Sequence, residues 1–203
     1  MELSKEFYNK NYLQFSDTRF CLWDALDNFS KQFCVKSLVL DAGCGNGKNI
    51  KYMKSKCNVI GFDICKKFVE LCQQYKYNVI ESDILDTPFD SNLFDFIYCI
   101  AVIHHFDKES DRLNAIKELV RILKPNGKIL ISMWAYESDE YSSKKNFVIG
   151  DNLVSFGKTN SMRYFYIYDK TNLESFCQKF DKNIKFEISW DRGNWILILT
   201  KYK

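Results

Sequence analysis

The sequence has no long apolar run, no paired-cysteine motif, no block of one charge and no internal repeat. Its longest apolar stretch, Phe96 to Ile103, is far shorter than the roughly 18 residues that span a bilayer, so no membrane segment is expected. The start, Met1-Glu2-Leu3-Ser4-Lys5-Glu6, lacks the hydrophobic core of a secretory signal. Eight cysteines stand singly at 21, 34, 44, 57, 65, 72, 99 and 177, with no C-x-x-C spacing. That pattern speaks against a zinc site of the chain's own and against a disulfide framework. The cysteines are expected to be small core residues in a reducing compartment, the cytoplasm by default and the nucleus as the other choice. A formal net charge of +3 is too small to demand a nucleic-acid partner by itself. The 203 residues, 46% of them hydrophobic, suit a single domain with a substantial core.

One stretch organises the chain: Val39-Leu40-Asp41-Ala42-Gly43-Cys44-Gly45-Asn46-Gly47-Lys48. It reads as an apolar strand ending in an acid, then a glycine-rich turn, then a helix over 49–54. A second run, Cys57 to Asp63, follows that helix and again ends in an acid. Strand, glycine turn, helix and strand with terminal acid form the nucleotide-binding half of a doubly wound sheet, in which the acid meets a ribose hydroxyl. The dinucleotide fingerprint places its third glycine three residues after the second, where the helix N-terminus can face a pyrophosphate. Here Lys48 holds that place and the third glycine comes one residue early, at Gly47. The spacing suits an adenosine-bearing ligand without phosphates.

Around this centre the chain alternates. Residues 1–36 form an aromatic leader, expected as one or two helices lidding the carboxyl ends of the strands. A helix over 66–75, a short strand over 77–81, a buried strand over 94–101 and an amphipathic helix over 107–123 follow. Lys124-Pro125-Asn126-Gly127 stops that helix, and 128–134 is the fifth strand. Residues 135–162 read as a polar surface insertion. A β-prone run over 163–168, a helix over 171–180 and a hairpin about Asp191-Arg192-Gly193 close the chain.

Motif by motif, the sequence resembles the class I S-adenosylmethionine-dependent methyltransferases: the glycine turn, Asp63 ending the second strand, Asp83-Ile84 after the third, and Leu123 to Lys128 before the fifth. The resemblance implies a Rossmann-like α/β fold: a seven-stranded, mostly parallel sheet with helices on both faces and an antiparallel C-terminal hairpin. Carried over by position, Asp41, Gly43, Gly45, Asn46 and Ala101 would border the cofactor. Asp63 would take the ribose hydroxyls and Asp83 the adenine amino group, with Ile64 and Ile84 on the faces of the ring.

Three further stretches, Phe15 to Phe20 with Trp23, Ala101 to Phe106, and Ile131 to Ala135, resemble the eukaryotic tRNA wobble-uridine methyltransferases. Arg163 to Tyr168 and Asp191 to Trp195 fit the same family, whereas Leu22 and Asp24 flank Trp23 where the family has prolines. That family esterifies the carboxymethyl group of the wobble uridine in the anticodon stem-loop. The resemblance also implies a small zinc-binding activator subunit at the sheet edge near Tyr77, Val79 and Ile80. Lysines of the first third, with Lys144 and Lys145, are candidates for phosphate contact.

A carboxylate acceptor is ionised at neutral pH, with a reference pKa of about 4, so the reaction needs alignment rather than a general base. It does need a cation, and arginine can pair with it bidentately. Arg19 and Arg163 are the candidates, Arg19 being equally suited to the carboxylate of the cofactor. His104 and His105 stand where strand four meets the transfer site, either donating to the acceptor or packing the strand end. Trp134 either stacks on the base or ends a core strand, and Arg192 and Trp195 read as a turn charge and a core aromatic. Two other readings stay open: a small-molecule methyltransferase with a lipid or quinone-like acceptor, and an inactive subunit that binds RNA or stabilises a partner.

Overall fold

A computed structural model describes residues 2–16, 22–137, 146–156 and 161–203. Nine strands occur among them: β1 (Leu38–Ala42), β2 (Asn58–Asp63), β3 (Val79–Glu81), β4 (Phe94–Ile100), β5 (Leu123–Trp134), β6 (Gly150–Ser155), β7 (Met162–Ile167), β8 (Ile184–Asp191) and β9 (Asn194–Lys201). The helices are α1 (Glu2–Ser16), α2 (Asp24–Ser30), α3 (Lys48–Met53), α4 (Lys66–Gln74), α5 (Glu109–Ile122) and α6 (Lys170–Cys177), with a 3-10 turn at Ile103–His105.

Seven strands form one sheet in the order β3-β2-β1-β4-β5-β9-β8. The strands from β3 to β5 in that order run parallel, and β9 enters antiparallel between β5 and β8. This is the expected α/β sheet with its C-terminal hairpin. The central strands are apolar on both sides because both sides are covered. On one face α5 and α6 pack Ile116, Leu119, Leu173 and Phe176 against Leu40, Ile97, Ile129 and Leu197. On the other, α2, α3 and α4 pack Leu26, Phe29, Ile50, Met53 and Val69 against Val39, Val59, Tyr98 and Leu130.

Three expectations need correction. The leader splits rather than lidding throughout. Its first helix, α1, does lie at the cavity, but α2 buries Leu26 and Phe29 in the sheet core, because these apolar residues, three apart, fall on one side of a short helix of about two turns. The stretch 135–162 is more than a surface insertion: Gly150–Ser155 is a strand, paired in register with β7 from Gly150↔Ile167 to Ser155↔Met162. The fifth strand starts at Leu123, and the Lys124–Gly127 turn survives within it as an irregularity, with Asn126 at φ 65° and the β4 register skipping from Leu123 to Lys128. Arg19, Lys144 and Lys145 lie outside the described residues.

Six of the seven described cysteines are buried, as small core residues should be, and Cys34 is exposed. No described helix is long and apolar enough to cross a membrane.

Candidate active site

The carboxyl ends of β1, β2 and β4 open on a cavity of about 610 Å³, roofed by α1 and bordered by the tip of the β8–β9 hairpin. Of the residues singled out in the sequence, it brings together Gly43, Gly45, Asn46, Asp63, Ile64, Asp83, Ile84, Ala101, His104, His105, Trp134 and Arg163. Asp41 is not among them. It is 1% exposed beneath the turn, where burial pushes its carboxyl well above the usual range and the Asp63 charge adds to the effect. Asp41 is thus a buried group of β1 next to Tyr98 and not part of the cavity lining.

The glycine turn divides its work by position. At Gly45, with φ 53°, an added Cβ would meet nothing within 4 Å. The missing side chain leaves room along the cavity. At Gly47, with φ 73°, a Cβ would stand 2.8 Å from both Cys72 Sγ and Tyr77 Cδ2. The early third glycine is therefore demanded by packing of α3 against α4 and its following loop. Gly47→Ala should lower stability by about 1–3 kcal/mol from left-handed strain and overpacking, read as a lower urea midpoint. Gly45→Ala should carry the left-handed strain alone, about 1–2 kcal/mol without the overpacking, and lose cofactor binding, measured by calorimetric titration.

Asp63 accepts from Gly45 N and Cys65 N, each at 2.8 Å, which locks its carboxylate at the head of the turn. It opens to the cavity on one side and is enclosed by protein on the others. Burial raises its pKa to about 6 against the opposing pull of those backbone donors. Asp83 spends one oxygen on its own turn, accepting from Leu85 N at 2.9 Å. The turn role and the cavity position coexist. Ala101 holds a left-handed conformation, φ 58°, and its N–H donates to both Ser132 O and Oγ at 3.1 Å. That strain of about 1–2 kcal/mol in a non-glycine residue turns the chain from β4 into the 3-10 turn.

The two histidines are both engaged. His105 Nδ1 lies 2.8 Å from the Tyr164 carbonyl, which can only accept, so Nδ1 carries the proton. Nε2 then accepts from the Tyr8 hydroxyl at 3.0 Å. Burial, with the Arg163 charge adding, depresses this imidazole to about 4, so it is neutral at physiological pH. His104 Nδ1 accepts from Trp134 N–H at 3.1 Å, placing its proton on Nε2. Trp134 stacks on Phe165 at 4.0 Å and 6°, and on Phe147 at 5.4 Å and 29°. These ring contacts favour the second of the two readings, a tryptophan that ends a core strand, although the residue also lines the cavity.

Arg163 is the outstanding group. It comes from β7 and is 5% exposed, with its guanidinium over the rings of Phe7, Phe156 and Phe165 at 5.3, 4.9 and 5.1 Å. Its Nε makes no hydrogen bond, and no described carboxylate pairs with it. Arg192, by contrast, is exposed at the mouth and paired with Asp24 at 2.6 Å, and Trp195 is a core residue donating to the Tyr168 carbonyl. Sequence reading missed Tyr8, Phe147, Phe156 and Phe165 as parts of the site. Phe165 lies within a stretch already singled out, and the aromatic density of the leader was the only signal for Tyr8.

Residues 40–131 match the family described as a methyltransferase domain. A tRNA (carboxymethyluridine(34)-5-O)-methyltransferase of Schizosaccharomyces pombe is 33% identical, with 98% of this chain and 96% of that protein covered. A protein of the same name in Xenopus tropicalis is 37% identical over 78% of this chain, which spans only 26% of that longer protein. Among solved structures, a SAM-dependent methyltransferase from Methanosarcina mazei superposes with a TM-score of 0.67 at 18% identity, over 89% of this chain and 98% of that one. A methyltransferase in complex with the Haloferax volcanii Trm112 methyltransferase activator gives 0.68 at 14% identity, over 98% and 99%. With near-complete coverage of a relative at this identity, the chain belongs to the tRNA (carboxymethyluridine(34)-5-O)-methyltransferase family.

Proposed function

We propose that this protein is an S-adenosylmethionine-dependent methyltransferase that esterifies the carboxylate of 5-carboxymethyluridine at the tRNA wobble position. The observation that carries the reading is Arg163: a buried guanidinium without a described counter-ion, beside the cavity, asks for an anion from outside. An aromatic roof alone would suit a lipid or quinone-like acceptor, but a desolvated positive charge would not.

The residues fit the cofactor. Asp63 presents an oriented carboxylate to ribose hydroxyls, Asp83 to an amino group, and Ile64 with Ile84 to the adenine faces, while the open flank of Gly45 leaves room for the methionine portion. When bound, S-adenosylmethionine supplies an electrophilic methyl on a sulfonium. The protein's own contribution is placement and dryness. Arg163 pairs the acceptor carboxylate and so aims one oxygen. Tyr8, Phe15 and Phe68 exclude water from the roof. Neither histidine is needed as a base, since the acceptor is already ionised and both imidazoles have their Nδ1 engaged.

The partner reading is retained in the same terms. The outermost strand β3 is three residues long, and Tyr75 beside it is 58% exposed and ring-packed on Tyr77. An activator subunit adding to that edge would cover it. The test uses tRNA with and without the wobble carboxymethyl group, and the protein with and without an activator. Labelled methyl should enter only the carboxymethylated tRNA, as an ester released by mild alkali; alkali-stable label, or label in unmodified tRNA, overturns the reading.

A further inference from the structure

We propose that the hydrogen bond from Tyr8 to His105 is the latch of α1, making both positioning residues that set how long the cofactor stays bound. The proposal rests on the cofactor reading above and adds to it.

One imidazole joins three elements. Its Nδ1–H is committed to the Tyr164 carbonyl on β7, next to Arg163, and the ring itself stands on the 3-10 turn after β4. Its Nε2 lone pair then takes the hydroxyl of Tyr8 from α1. Two other polar ties of α1 to the body are poorer: Asn46 Nδ2 to Ser16 O and Cys65 Sγ to Asn9 Oδ1, both at 3.4 Å. Ring contacts add to these: Phe7 and Phe15 each pack against Phe156, Phe15 also against Phe68, and Phe7 lies under the Arg163 guanidinium.

α1 is also built to bend. At Asn11 the backbone leaves the helical region, φ −116° and ψ 16°, and the Asn11 amide donates to Phe7 O at 2.8 Å. The turn that carries Phe7 and Tyr8 is thus separated from the turn that carries Phe15. Tyr8 and Phe15 both wall the cavity, so the position of this helix bears directly on the entry and exit of a bound cofactor. A latch held by a neutral imidazole, with no charge to be solvated when it opens, suits a roof that opens and closes over a bound cofactor.

The test measures dissociation of S-adenosylhomocysteine by stopped-flow displacement. Tyr8→Phe keeps the ring and removes the donor; His105→Asn keeps a donor for the Tyr164 carbonyl but cannot reach Tyr8. Each should speed dissociation roughly five- to tenfold, the worth of one hydrogen bond. The double variant should be no faster than either single one, because both remove the same bond. His105→Gln, which restores an acceptor near the Nε2 position, should recover most of the wild-type rate. An unchanged rate in Tyr8→Phe, or additive effects in the double variant, would overturn the latch. Wild-type protein that does not bind S-adenosylhomocysteine would instead overturn the cofactor reading.

Discussion

Arg163→Met is expected to lose turnover on carboxymethylated tRNA by about 100-fold or more, with cofactor affinity within about twofold of wild type. The size follows from removing one partner of a desolvated, hydrogen-bonded charge pair, which costs about 2–5 kcal/mol. The selectivity follows from position: Arg163 sits on β7 among Phe7, Phe156 and Phe165, whereas the carboxylates that face the cofactor, Asp63 and Asp83, end β2 and follow β3. A second expectation separates function from architecture. Because no described carboxylate pairs with the guanidinium, replacing it with an apolar chain of similar length relieves desolvation. Thermal stability should hold or rise while activity falls. Steady-state kinetics with saturating cofactor, beside a melting curve, decides it; turnover near wild type would remove Arg163 from acceptor binding.

Asp63→Ala should weaken cofactor binding by about 100-fold or more, since two charge-assisted hydrogen bonds at about 1.5–3 kcal/mol each are lost. The Gly45 and Cys65 amides it now holds would also go unpaired. The same carboxylate gives the binding a pH dependence. Burial raises its pKa to about 6, so it is ionised above that value and protonated below. Hydroxyl donors favour the ionised form. Affinity should therefore be flat above pH 6 and fall as pH drops below it, by up to about tenfold per unit. Titration calorimetry between pH 5 and 8 reads this directly, and proton release on binding should grow as pH falls through the same window. His105 adds no inflection of its own in that range, because its imidazole stays neutral down to about 4.

The frame was legible because burial on both faces forces the central strands into unbroken apolar runs, and because the turn after β1 needs glycine where φ is positive. The acids ending β1 and β2 were legible too, though not their division of labour. Only the structure shows that Asp41 is buried away from the cavity while Asp63 faces it. What stayed hidden depends on contacts between distant segments. The box around Arg163 joins Phe7 of the leader, Phe156 after β6 and Phe165 of β7, and no periodicity links those positions. Strand β6 was hidden for another reason: half of its side chains are exposed, so its residues carry little of the apolar signal that marks a core strand. For Trp134 two readings stayed open, because a tryptophan at a strand end says nothing about what covers its faces.

The place of β9 in the sheet bears on how the molecule is made. Residues 194–201 are synthesised after every other strand, yet they lie inside the sheet, between β5 and β8. Until they emerge from the ribosome, Ile129, Leu130, Ile131 and Met133 of β5 have an open backbone edge, a natural attachment point for a chaperone or for an unwanted strand. The hairpin tip that borders the cavity arrives in the same step, and Gly193 O then receives Ala135 N–H. The wall of the cavity is thus complete only once β9 has joined the middle of the sheet.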